Sequence, residues 1–320
     1  MLKIIYICQE IIKNAMTRNK FLTGISAILL GFMLSCDNTT ADPINNTLNN
    51  PNNPGGSGGG GSAPSITGPR ILHKINVNSV TNQEFVTNGN VLEKAIFKEA
   101  SGPTSFLVGT VTYTSGKVTR VKFAQEVNGA PANTLSYDFN ITYDSGGKIN
   151  YTTCQTMLGT MPSFNSEYTY TYDGSGKITK IVEKKKSGST YTHFINYNLT
   201  NSGDNITKMV SESGITNAAG VPDLSATVLT TTYDYTSYDD KINPYTTLPK
   251  TFFVMWSLLH PINFPSLSAN NLKSFNIVYP SPVPGIPGQV IPGAYTYLYD
   301  TQNYPVSDQT QAQKYIYKAL

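Results

Sequence analysis

The sequence predicts an all-β protein, an antiparallel meander of about fourteen strands in a curved sheet, partly open barrel or sandwich. Three observations predict it. From Arg70 onward, short runs alternate apolar and polar residues, the mark of half-buried strands. Gly, Asn, Asp and Ser cluster between the runs, where tight turns need residues that tolerate positive φ. A Tyr-anchored phrase also recurs: VTYTSGKVTRVKF from Val111, ITYDSGGKIN from Ile141, YTYDGSGKITKIV from Tyr170 and INYNLTNSGDNITKMV from Ile195. Its anchors Tyr113, Tyr143, Tyr172 and Tyr197 stand about 25–30 residues apart, a repeat spacing. Strands joined by such short turns must run antiparallel.

At the N-terminus, residues 16–36 read MTRNKFLTGISAILLGFMLSC. Arg18 and Lys20 precede an apolar run, Phe21 to Leu34, that is too short for an ordinary membrane span. Residues 1–35 are the expected secretion signal, and Met16 is the better start because it gives a signal of ordinary length. Ser35–Cys36 resembles a bacterial lipobox, although Met33–Leu34 stand where Leu followed by a small residue is commoner. That resemblance implies cleavage before Cys36 and acylation there by chains such as palmitate, each buried CH₂ contributing about 0.8 kcal/mol to anchoring. The alternatives are an ordinary signal-peptidase cut or a retained anchor.

Residues 36–68 hold the lipidated Cys and a tether rich in Asn, Pro, Gly and Ser, a composition that cannot build a core. Such a chain spans roughly 30 Å root-mean-square. Residues 69–320 are expected to form a single all-β domain. The strand-like runs are, in order, 71–77, 91–99, 105–113, 117–127, 134–143, 148–154, 166–172, 177–185, 190–197, 205–213, 226–235, 272–279, 293–299 and 314–320. TFFVMWSLL at 251–259 is the one helix candidate, too short to cross a membrane and ended by His260–Pro261. PSPVPGIPGQVIPG at 280–293 reads as one long loop within the last hairpins.

Composition excludes several partners and chemistries. The chain carries 23 basic and 20 acidic residues. Loss of residues 1–35 removes Lys3, Lys13, Arg18, Lys20 and Glu10, so the remainder is neutral, unlike a nucleic-acid binder. Only Arg70 and Arg120 remain for bidentate anion recognition. Lys184–Lys186 read as guards of a sheet edge. A nucleotide loop is excluded as well: GSGKIT has Ile178 where Ser or Thr must hold magnesium and Thr171 where Gly is required. Cys154 is alone after Cys36, so no internal disulfide forms and the thiol is expected to be buried. His73, His193 and His260 are too dispersed for zinc, no G-x-S-x-G elbow is present, and no EF-hand spacing supports calcium. No cofactor is expected.

The phrases Tyr143-Asp144 through Lys148-Ile149 and Tyr172-Asp173 through Lys177-Ile178 resemble YD repeats, which build the β-shells of large secreted Rhs-type proteins. YDDKINPY, Tyr238 to Tyr245, resembles the Y-D-x-K-x-N-P-[FY] segment of a group of β-rich Bacteroidota lipoproteins. In that group a strand pair similar to YTYLYDTQNYPVSD, Tyr295 to Asp308, follows. This second likeness covers most of residues 70–320. It implies an outer-membrane lipoprotein of no established activity and supplies no catalytic residues. Asp37, an inner-membrane retention signal in some bacteria, is not expected to act so in this group.

The expectation is a non-catalytic, membrane-anchored envelope protein that binds an extracellular polymer or a partner protein, or serves structurally. Whether it faces the periplasm or the cell surface stays open. Tyr168, Tyr170 and Tyr172 share one face of a strand, as do Tyr295, Tyr297 and Tyr299, and such rows are candidates for stacking sugar rings. The other reading is cross-strand aromatic packing, and Thr opposite the Tyr rows points the Tyr face inward. The alternative function is a glycan hydrolase, which needs two carboxylates about 5–10 Å apart; Asp138, Glu167, Asp239 and Asp240 are the candidates.

Overall fold

The computed structural model describes residues 68–100, 102–281 and 288–320. The expected signal, Cys36 and nearly all of the tether lie outside the described residues. The folded unit comprises Ile66–Lys98 and Thr104–Leu320.

It is all-β, as expected, with seventeen strands in one antiparallel sheet. The first six are β1 (Arg70–Val77), β2 (Val80–Asn88), β3 (Val91–Lys98), β4 (Ser105–Thr114), β5 (Lys117–Val127) and β6 (Ala130–Tyr143). Then come β7 (Ile149–Leu158), β8 (Met161–Tyr172), β9 (Ile178–Ser187), β10 (Thr190–Ser202), β11 (Asn205–Ile215) and β12 (Leu229–Tyr238). A helix, α1 (Lys250–Leu259), and two 3-10 turns (Pro244–Thr247, Pro261–Leu267) precede β13 (Leu272–Val278) and β14 (Val290–Ala294). The chain ends with β15 (Leu298–Tyr299), β16 (Pro305–Ser307) and β17 (Gln313–Ala319).

Each strand from β1 to β14 pairs with its sequence neighbour, and the longer connections are β3–β4, β11–β12, β12–β13 and β13–β14. β17 returns to pair with β1, and β16 lies on its far side. Among the described residues β14 pairs with β13 and β15 with β16, so the ladder stays open between them. The sheet curls because it wraps α1. Phe85 of β2, Phe97 of β3 and Phe123 of β5 meet Phe253, Trp256 and Phe252 of the helix, with Phe97 stacked on Trp256 at 4.4 Å. From the other arm of the sheet, Tyr197 of β10 brings its hydroxyl to 3.5 Å from the Leu258 carbonyl.

α1 is buried on every side from Phe252 to Leu258, which explains why its sequence shows no polar stripe. The close fit needs Gly109 on β4: a Cβ there would sit 2.8 Å from the Phe123 ring and 2.9 Å from Phe252.

Three expectations need correction. Val80–Asn88 is a strand, although its polar composition gives little alternation. The Pro-rich run is not loop to its end, because Val290–Ala294 pairs with β13. Tyr295 and Tyr297 lie between β14 and β15, so the second Tyr row does not share one strand.

Candidate functional site

The recurring Tyr phrase turns out to be a lock between neighbouring hairpins. The turns after β2, β4, β6, β8 and β10 share one end of the sheet, called here the Tyr end. At that end Tyr113, Tyr143 and Tyr172 donate their hydroxyls to the carbonyls of Leu92, Val118 and Ile149, at 3.1, 2.7 and 2.8 Å. Each acceptor is the first or second residue of the preceding strand. Tyr238 and Tyr297 repeat the bond to Ile206 and Leu272. In the copy between, Asn201 takes the Tyr place and donates to Ile178 at 3.1 Å. Tyr197, the expected anchor of that copy, is instead a core residue.

The other letters of the phrase have local reasons. Asp144 and Asp173 accept backbone N–H bonds from Lys148 and Lys177 across their own turns, both at 2.9 Å. Backbone N–H donation at the tip holds the Asp173 carboxyl below its ordinary range. Gly176, with φ of +84°, occupies the left-handed position that the turn requires. Lys117 then stands over the ring of Tyr143 at 5.1 Å, and Lys148 over Tyr172 at 5.2 Å. Lys177, central to the apparent nucleotide loop, bridges to Asp204 on the next tip at 3.0 Å. GSGKIT is therefore the β8–β9 turn.

YDDKINPY is a brace in the same way. Asp239 accepts from the backbone of Lys241 and Asn271, and from the Tyr299 hydroxyl. Asn243 is buried and donates to the carbonyls of Pro265 and Ser268 at 3.0 and 2.9 Å. Tyr245 packs on Phe253 and Trp256 and donates to Gln83 at 2.9 Å.

Against this framework the Tyr end holds an open depression of about 670 Å³ where three hairpin tips meet the start of α1. Asn90, Tyr113, Lys117, Tyr143, Lys250 and Thr251 contribute to its walls. The Tyr143 hydroxyl also reaches Thr251 at 3.2 Å. Desolvation raises the Tyr113 and Tyr143 hydroxyls above their usual range. Lys117 and Lys250 form no ion pair among the described residues. Among the described residues no carboxylate lines the depression. Its ammonium groups offer positive charge and N–H donors, which suit hydroxyl-rich or anionic groups.

The residues singled out in the sequence are mostly consumed elsewhere. Tyr168 is 3% exposed, and its hydroxyl donates to Glu183 at 3.0 Å. Tyr170 donates to Thr152 at 2.9 Å. With the Tyr172 lock, this puts the first row on the core face, where its rings pack instead of meeting solvent. In the second row, Tyr297 and Tyr299 are half-buried, and Tyr295, 40% exposed, lies against Phe275 with centroids 5.7 Å apart.

Asp138 holds Arg120, with one bond at 2.7 Å, and Glu167 holds Lys186 and Tyr191. Asp240 is exposed at a tip beside Lys241. Among the described residues, no three His, Cys, Asp or Glu side chains converge on a common point. Cys154 is buried, which pushes its thiol up to about 12.

The sequence reading missed Glu183. It is buried on the core face, accepting from Ser166 at 2.7 Å, Tyr168 at 3.0 Å and Tyr197 at 3.2 Å, with Lys185 at 3.5 Å. The signal was strand parity: Glu183 shares its face with Ile181, but the following three lysines made the segment look wholly solvated.

No protein-family model matches the chain, and no curated protein matches it. Among solved structures, it is similar to a porin-like protein from Bacteroides vulgatus, with 12% identity and a TM-score of 0.41, over 77% of this chain and 96% of that one. A porin-like protein from Bacteroides uniformis is similar at 12% identity and a TM-score of 0.35, over 78% of this chain and 96% of that one. Likeness at this level carries no inference about activity.

Proposed function

We propose that the chain is a non-catalytic lipoprotein of the outer membrane, anchored through Cys36, whose β-domain binds an extracellular polymer or partner at the Tyr-end depression. The observation that carries this reading is the chemistry of that depression: among the described residues it is lined by the Lys117 and Lys250 ammonium groups, by the phenols of Tyr113 and Tyr143 and the Thr251 hydroxyl, and by no carboxylate. Such a lining recognises without supplying the acid and base that glycan hydrolysis needs. The signal ending in Cys36, and the resemblance of YDDKINPY to Bacteroidota lipoproteins, support the envelope placement.

Thermal unfolding of the chain from residue 36, with Cys36→Ser, against a panel of neutral and acidic oligosaccharides tests the proposal. A ligand at about a hundred times its dissociation constant stabilises the fold by about 2.7 kcal/mol. A shift that disappears in Lys117→Ala/Lys250→Ala supports the reading. Turnover of a panel member would replace it with the hydrolase, and a flat response would remove glycans as the ligand.

A further inference from the structure

The chain enters the sheet at Arg70, the first residue of β1, where a strand next to a tether would ordinarily fray. Arg70 is instead only 6% exposed. Its guanidinium donates to the Asp300 carboxylate in the β15–β16 turn and forms an ion pair with it. It also stands over the Tyr304 ring at 4.6 Å and the Tyr317 ring at 5.6 Å. Those two rings meet edge to face, with centroids 5.4 Å apart. The Asp300 turn is itself fixed, because its carboxylate accepts the N–H groups of Gln302 and Tyr304 at 2.9 and 3.0 Å. The Tyr317 hydroxyl donates to the Pro305 carbonyl at 2.8 Å.

The register shows why this corner needs a hold. β2 pairs with β1 only from Lys74 onward, so Arg70, Ile71 and Leu72 are laddered to β17 alone. β17 in turn pairs with β16 only at Lys314. The corner is therefore a two-stranded ribbon, which is marginal by itself. Arg70 joins one strand of the ribbon to Tyr317 on the other and to the Asp300 turn beside them. A planar guanidinium stacks on rings and forks to a carboxylate at once, which an ammonium does not.

The sequence ahead of the corner gives this hold a consequence. Residues 37–69 contain no Lys or Arg. Arg70 is thus the first position after Cys36 at which a protease that cuts after basic residues can act. The next, Lys74, is paired to Glu84 on a stretch of β1 laddered on both sides. Hydrolysis of the Arg70–Ile71 peptide bond requires the corner to open first, since a protease acts on the locally opened chain.

We propose that Arg70, Asp300, Tyr304 and Tyr317 form a clasp that guards this junction against endoproteases that cut after basic residues. The clasp keeps the β-domain joined to its anchor, a consequence that rests on the reading of Cys36 as the lipidated residue. The guarding of the bond itself does not depend on that reading.

The test is limited trypsin digestion of the chain from residue 36, with Cys36→Ser, followed by mass spectrometry for loss of residues 36–70. The unchanged junction is compared with Arg70→Lys and Asp300→Asn. Lysine remains a trypsin site but loses the fork, and asparagine keeps the oxygen that holds the turn while removing the charge. We expect both variants to be cut after residue 70 at least about tenfold faster than the unchanged junction. Cleavage after Lys148, on the exposed β6–β7 tip, should keep its rate. Equal rates after residue 70 in all three forms overturn the proposal. So does an equal acceleration after Lys148, because Arg70 would then hold the whole fold and not the junction. The chain tested carries no lipid, so a failure of the clasp is told apart from a failure of the anchoring reading.

Discussion

The two ends of this sheet are built from the same hairpins and spend their residues differently. At the Tyr end, turn side chains face back into the framework: phenol hydroxyls lock neighbouring hairpins, Asp carboxylates hold their own turns, and α1 begins. At the far end, the β5–β6 and β7–β8 tips make no such side-chain bonds and hold their largest apolar groups in water. A tight turn needs only Gly or Asn at positive φ, so its remaining positions are free either to brace the fold or to meet a partner. The repeat brings bracing to one end, and the other end is left to vary.

That difference makes predictions of decreasing size. Phe252→Ala empties the space that β2–β5 close upon, and should cost about 3–5 kcal/mol in denaturant unfolding. A loss below 1 kcal/mol would mean that the sheet does not depend on the helix beneath it. Asn243→Ala strands the buried carbonyls of Pro265 and Ser268, and should cost roughly 1–3 kcal/mol. Tyr172→Phe removes one lock and should cost about 0.5–1.5 kcal/mol.

Tyr172 also has a pH signature. Burial pushes its hydroxyl up to about 12, above the unfolded value of about 10. The folded state therefore holds the proton more tightly than the unfolded chain does. The stabilisation is complete below pH about 10 and is lost as pH rises toward 12. A melting temperature that stays level through this window would contradict the burial of these hydroxyls. The smallest effect belongs to the far end: Met161→Ser should change stability by less than about 0.5 kcal/mol. A larger loss would show that the exposed tip braces the fold after all.

Parts of this were legible along the chain. The alternation of β4 to β11 and the Gly-containing turns specify antiparallel hairpins locally, because side-chain parity and turn conformation are properties of a few adjacent residues. β2 was not legible, since VTNQEFVTN buries only Phe85 fully and its other positions are held by neighbours on both sides. The break in the second Tyr row was hidden for a similar reason. Alternation continues through AYTYLY, but the chain leaves β13 at Tyr295 and joins β16 only from Leu298.

The depression at the Tyr end could not be read from local pattern. It joins Tyr113, Tyr143 and Lys250, which are far apart in the chain and meet only because α1 starts beneath the hairpin tips.

By itself, then, the sequence determined strand, turn and direction, through alternation, positive-φ residues and short connections. The inward face of the first tyrosine row was legible too, from the Thr residues that alternate with it. Tertiary structure decided that Glu183 is buried among hydroxyls and that a ten-residue helix fills the curl of the sheet. The physical reason is range: dihedral preference and parity act between adjacent residues, whereas burial depends on what the rest of the chain lays on top.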